Sequence, residues 1–187
     1  MANPTLVSRE SADLIEQALD LAGLLEHVSN SISLDAIRDY ATGHLQTVFE
    51  TMLAMKVTPL AESPVAALAG DHLAGMVGMA GEKVTGQAYL QLPTAFGAVV
   101  AAAMLGLPAE ELGEAEVKDV LGEVTNMIAG GLKSWLCDAG ANCALTTPAV
   151  IRGTAYRVMP KPGVETVLIG FGDQSNCGVL ELHIKFN

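Results

Sequence analysis

Apolar positions recur at helical spacing in several segments of the 187-residue chain and alternate with polar ones in others. Leu14, Ala18, Leu21, Leu25 and Val28 follow at steps of four and three, which predicts a helix over about 11–29 with Ser11 as its candidate cap. This seam of about two heptads suits docking on the chain's own domain or, alternatively, a dimer or partner contact. The polar break "SNSIS" (29–33) separates it from a second helix over about 34–55, with Ile37, Ala41, Leu45, Val48, Phe49, Met52 and Leu53 on one face. Residues 56–64 contain two prolines and predict irregular or edge-strand backbone.

The period then changes. In "HLAGMVGMAGEKVTGQAYLQL" (72–92), "AGEK" is a turn between two strand-like runs. Val84, Gly86, Ala88 and Leu90 alternate with Thr85, Gln87, Tyr89 and Gln91, as in a half-buried strand. Pro93 opens a helix of about 93–105 that is apolar nearly all round and is therefore expected to be deeply buried. "GLPAEELGE" (106–114) is a turn before a long helix over about 115–137. Strand-like runs follow at 143–153, 165–172 and 177–186, the last with Leu180, Leu182, Ile184 and Phe186 alternating against Val179, Glu181, His183 and Lys185. A long helix followed by strands thus occurs twice. The predicted class is α+β, with an N-terminal helical extension over 1–33 and one domain over 34–187.

Composition narrows the function classes. Half the residues are apolar but aromatics are scarce, so Leu, Val, Ala and Met must build the core. A net charge of −11 argues against nucleic acid, whose phosphates need clustered Lys and Arg, and against an anionic membrane surface. The longest apolar run, 95–107, is too short to span a bilayer, which takes about 20 residues. The N-terminal residues show no secretory pattern, and Cys137, Cys143 and Cys177 form no C-x-x-C pair. A reducing, cytoplasmic setting is the natural expectation. The four histidines have no ligand-like spacing, so no metal site and no resident cofactor are expected. A small-molecule enzyme has little support: there is no phosphate-binding loop and no nucleophile elbow.

The segment "LGEVTNMIAGGLKSWL" (121–136) departs from helix rules. At 100° per residue, Val117, Val120, Leu121, Val124, Ile128, Leu132 and Trp135 form its apolar face. Asp119, Glu123, Asn126 and Gly130 line up opposite at i,i+4 and i,i+3 steps. Glu114, Glu116 and, as an alternative to a site role, Asp119 suit the positive N-terminal end of a helix, but Glu123 lies beyond it. Asp119 and Glu123 form a like-charge pair, and Gly130 costs about 1 kcal/mol against alanine in a helix interior. A solvated face is one reading. A functional site is the other, since a row that breaks local rules without compensation marks such places.

Asp119, Glu123 and Asn126 form the row D-x-x-x-E-x-x-N, which resembles the signature of the CheC/CheX family of phosphatases acting on the phosphorylated receiver protein CheY. "NMIAGGL" (126–132), the glycine-rich hairpin at 76–92 and the strand "LTTPAVIRG" (145–153) also look like the CheX branch, over about residues 38–187. The resemblance implies a CheX-like fold, an antiparallel-rich sheet with long helices on one face, and commonly a homodimer joined through the sheet. It implies an aspartyl phosphate on a CheY-like receiver as substrate, with Mg²⁺ supplied by the receiver. Glu123 and Asn126 take the catalytic places: Asn126 orients a water, and Glu123 pairs with the receiver's lysine. Asp119 is then a peripheral partner contact. Gly130 lets the partner's backbone approach or, equally, permits close packing within this chain; packing is preferred for Gly131. Thr125 departs from the family, which often has glycine there, and is placed beside Asn126 where it could crowd the partner. The alternative is a non-catalytic relative that binds a receiver or a flagellar switch component.

Overall fold

The computed structural model describes residues 32–61, 70–154, 158–173 and 176–187. The helix expected over 11–29 lies outside these residues. Ser33 begins helix α1, Leu34–Leu53, by accepting a hydrogen bond from the Ala36 N–H at 3.1 Å. The predicted face is buried from Ile37 to Leu53, except Met52, which points to solvent. Strand β1, Thr58–Pro59, sits at the edge of the sheet, where the missing N–H of Pro59 is tolerated.

β2, His72–Gly81, and β3, Val84–Pro93, form the predicted hairpin around Glu82 and Lys83. Helix α2, Thr94–Leu105, and a single 3₁₀ turn, Ala109–Glu111, lead to helix α3, Glu114–Asp138. After it come β4, Cys143–Leu145, β5, Ala149–Gly153, β6, Glu165–Gly172, and β7, Cys177–Phe186. The strand order is β1-β6-β7-β3-β2-β4, with β5 also on β2, and every pairing is antiparallel. The three helices share one core with one face of this sheet, as the α+β expectation required. Phe49 of α1 meets Phe96 of α2 and Phe171 of β6, with ring centroids 6.3 and 5.1 Å apart. Burying each such side chain contributes about 1.5–3 kcal/mol.

Three expectations are corrected. Segment 143–153 is two strands, because Pro148 has no N–H to continue a ladder on β2. At the break Thr146 substitutes: its N–H donates to the Gly78 carbonyl and its hydroxyl accepts from the Gly78 N–H, both at 2.9 Å. Helix α2 is not deeply buried. Phe96, Gly97, Val100 and Ala101 face the core, while Ala95, Val99 and Ala103 are exposed. The rest of its circumference is largely small alanine side chains, with Val99 and Leu105 left exposed. Finally, the outward positions of β3 and β7 are not simply solvated. Tyr89, Gln91 and His183 are buried there: Tyr89 donates to the Gln87 amide oxygen and packs edge-on against the His183 ring, while Gln91 and His183 bond Glu181.

Candidate functional site

Helix α3 is anchored at its start by charge. Lys118 bridges back to Glu114 at 2.7 Å, and Arg152 of β5 reaches Glu114 at 3.3 Å. Arg152 also grips both carboxylate oxygens of Asp71, just before β2, at 3.1 and 2.6 Å. The guanidinium beside Asp71 holds that carboxyl below its ordinary range, and the Lys118 ammonium does the same for Glu114. β5, β2 and the first turn of α3 are thereby tied together.

Along α3, Val117, Val120, Leu121, Val124, Ile128 and Leu132 are buried as predicted. Trp135 is half-buried and stacks on Tyr40 of α1, centroids 5.2 Å apart. Thr125 is fully buried, so the expectation that it crowds a partner beside Asn126 is corrected. Its hydroxyl donates to the Leu121 carbonyl at 2.6 Å, and its side chain fills the space over Gly75 of β2, where a Cβ would overlap it. Thr125 therefore seats the helix on the sheet.

The two glycines separate. A Cβ on Gly131 would fall inside the ring of His44 on α1. His44 lies on the helix backbone there, with Nε2 3.2 Å from the Met127 carbonyl, and Tyr40 donates to the Gly131 carbonyl at 3.1 Å. Gly131 is thus a packing glycine, as preferred. A Cβ on Gly130 would meet nothing within 4 Å, so packing inside the described chain does not demand a glycine there. His44 and Tyr40 escaped the sequence reading because nothing local pairs them with residues some ninety positions away.

Asp119 and Glu123 are exposed and Asn126 is partly exposed. Their side chains make no hydrogen bond or ion pair among the described residues. The helix scaffold brings them onto one ridge with Gly130, as the spacing predicted. This ridge lines neither the cavity floored by Thr85, Gln87 and His183 nor the smaller one at Lys56, Thr58 and Asp173. Among the described residues, no three His, Cys, Asp or Glu side chains gather as a metal site, and no helix is long and apolar enough to cross a membrane. Chemically the ridge offers two carboxylates and a neutral amide that can donate and accept.

Fold and ridge together define an α+β domain that presents, from the outer surface of a long helix, polar side chains uncommitted among the described residues. The family model "Chemotaxis phosphatase CheX" matches residues 73–172, more than half of the chain, and the chain belongs to that family. The match includes the whole ridge. The Vibrio vulnificus chemotaxis protein CheX is 26% identical, with a TM-score of 0.68 over 80% of this chain and 96% of that one. The CheX of a Borrelia burgdorferi CheX–CheY–BeF3–Mg²⁺ complex is 20% identical, TM-score 0.61, covering 79% of this chain and 96% of its own. Thermotoga maritima FliY shares the fold at 18% identity and a TM-score of 0.54, over 97% of this chain and 92% of that one. No curated protein sequence matches it.

Proposed function

We propose that the chain is a phosphatase for a phosphorylated CheY-like receiver domain, with the α3 ridge as its working surface. The observation that carries this reading is that Asp119, Glu123 and Asn126 are held on a well-anchored helix yet have no partner among the described residues. Membership of a chemotaxis phosphatase family supports the activity. The Borrelia complex of CheX with CheY, BeF3 and Mg²⁺ supports the choice of partner.

In this reading the receiver carries its own aspartyl phosphate and Mg²⁺, and this chain adds no metal or cofactor. Hydrolysis needs a water aligned behind the phosphorus, opposite the aspartate oxygen that leaves. The Asn126 amide holds that water by accepting from and donating to it. As a neutral group it contributes orientation, not proton removal. The P–O bond to water forms as the P–O bond to aspartate breaks, and inorganic phosphate departs. Glu123, one turn earlier, pairs with a lysine of the receiver, which fixes register more than it adds affinity. Asp119 touches the periphery. Gly130, with open space above it, lets the partner's backbone come close. A catalytic domain over 34–187 with an N-terminal extension over 1–33, a homodimer and action in the cytoplasm belong to the same proposal.

The test is phosphate loss from a phosphorylated CheY-like receiver with wild type, with Asn126→Ala and with neither. Acceleration by wild type that Asn126→Ala lowers about 100-fold or more is the expected result. Stable binding to the phosphorylated receiver without acceleration would instead select a non-catalytic module that binds a receiver or a flagellar switch component.

A further inference from the structure

The face of the sheet turned away from the helices carries a separate feature. Leu90, Leu92, Leu182 and Ile184 of β3 and β7 belong to the core shared with the helices, so the alternating residues Thr85, Gln87, His183 and Lys185 face the other way. They floor a cavity of about 460 Å³, walled by the segment containing Met159 and Lys161. That volume lies within the roughly 300–1,000 Å³ usual for small-molecule sites.

The chemistry of the lining is one-sided. The protein has 21 Asp and Glu against 10 Lys and Arg, yet among the described residues no acidic one lines the cavity and two lysines do. Neither the Lys161 nor the Lys185 ammonium makes a hydrogen bond or ion pair among the described residues. Gln87 accepts the Tyr89 hydroxyl on its amide oxygen, which leaves its two N–H donors uncommitted. Of the carboxylates close by, Glu181 accepts from Gln91 at 2.6 Å and lies 2.7 Å from Nε2 of the floor residue His183, while Glu165, next to Val164 and paired with Ile184, is not among the lining residues. The polar lining thus offers donors and positive charge, while Met159, Pro160 and Val164 supply apolar wall. Met159 is 80% exposed, an unusual position for a long apolar side chain with no cover.

We propose that this cavity binds a small anionic molecule with an apolar body, such as a medium-chain monocarboxylate, independently of the α3 ridge on the opposite face. The lysines hold the anion, Gln87 and Thr85 donate to it, and Met159 closes over the apolar part. The test is a titration of the full chain, labelled with methyl-¹³C methionine, with octanoate. Met159→Leu and Met52→Leu variants identify the two signals. A saturable shift of the Met159 methyl is expected, with Met52, exposed on α1, unmoved. Octylamine, of equal chain length and opposite charge, should not reproduce it. The variant Lys161→Ala/Lys185→Ala, which changes only exposed side chains and whose thermal melt reports its folding, should bind octanoate at least tenfold more weakly. Absence of a saturable Met159 shift, an equal response to octylamine, or unchanged affinity in the double variant would each overturn the proposal.

Discussion

The outer ridge of α3 and its packed flanks differ in one respect that matters: the unusual residues on the flanks, Thr125 and Gly131, have a structural partner, and the ridge side chains have none among the described residues. Thr125 has Gly75, and Gly131 has the ring of His44. Gly130 has open space above it, and the side chains of Asp119, Glu123 and Asn126 make no hydrogen bond or ion pair among the described residues. Adjacent positions on one helix thus break the same propensity rules for different reasons, and only an accounting of contacts separates the two kinds. Residues that cost helix stability and bond nothing in the described chain are the ones whose use is expected to lie outside it.

Substitutions can sharpen this division. The largest effect is expected from Asn126→Ala, which should abolish receiver dephosphorylation yet leave the thermal midpoint unchanged or slightly raised, since alanine is the better helix former. Gly131→Ala should do the reverse. The new methyl must displace His44, and overpacking of this kind costs about 1–3 kcal/mol. Denaturant unfolding would register that loss, and phosphatase activity of the folded fraction should persist. Gly130→Ala should stabilise the helix by about 1 kcal/mol in the same unfolding experiment and weaken engagement of the receiver. A stability loss there comparable to that of Gly131→Ala would dissolve the contrast between ridge and flank.

The smallest effect concerns the anchor below the ridge. The Asp71 and Glu114 carboxyls titrate below their ordinary range in the folded chain, Asp71 because of Arg152 and Glu114 chiefly because of Lys118 with Arg152 adding to it. A depressed carboxyl stabilises the fold above its unfolded pKa and ceases to as the pH falls through its folded value. Arg152→Ala should therefore melt slightly below wild type at neutral pH, and the gap should close in acid. Both carboxylates are solvent-exposed, so the difference is expected to be modest.

The sequence made the helices and the hairpin legible because their periods differ and because Ser33, Pro93 and the turn at Glu82–Lys83 punctuate them. The ridge was equally legible, since i,i+3 and i,i+4 spacing fixes a common face without tertiary information. Thr125 was misread by adjacency: one residue from Asn126 along the chain is 100° away around the helix, and the i,i+4 relation to buried Leu121 pointed inward. The partner of Gly131 was not legible, because His44 meets it only once α1 and α3 pack. The same holds for the outer face of β3 and β7. Alternation predicted solvent at Tyr89, Gln91 and His183, and their burial rests on partners the alternation does not show: Gln87 for Tyr89, and Glu181 for Gln91 and His183.

The break opposite β2 has a consequence for motion. Between β4 and β5, the Gly78 amide is held by the hydroxyl of Thr146 instead of a ladder carbonyl. Its exchange with deuterated solvent should follow the rotation of one side chain, not the opening of a strand. Thr146→Ser should leave Gly78 slow to exchange, whereas Thr146→Val should make that single amide fast within an otherwise protected strand. Strand β2 would then report two timescales, one for the sheet and one for a hydroxyl.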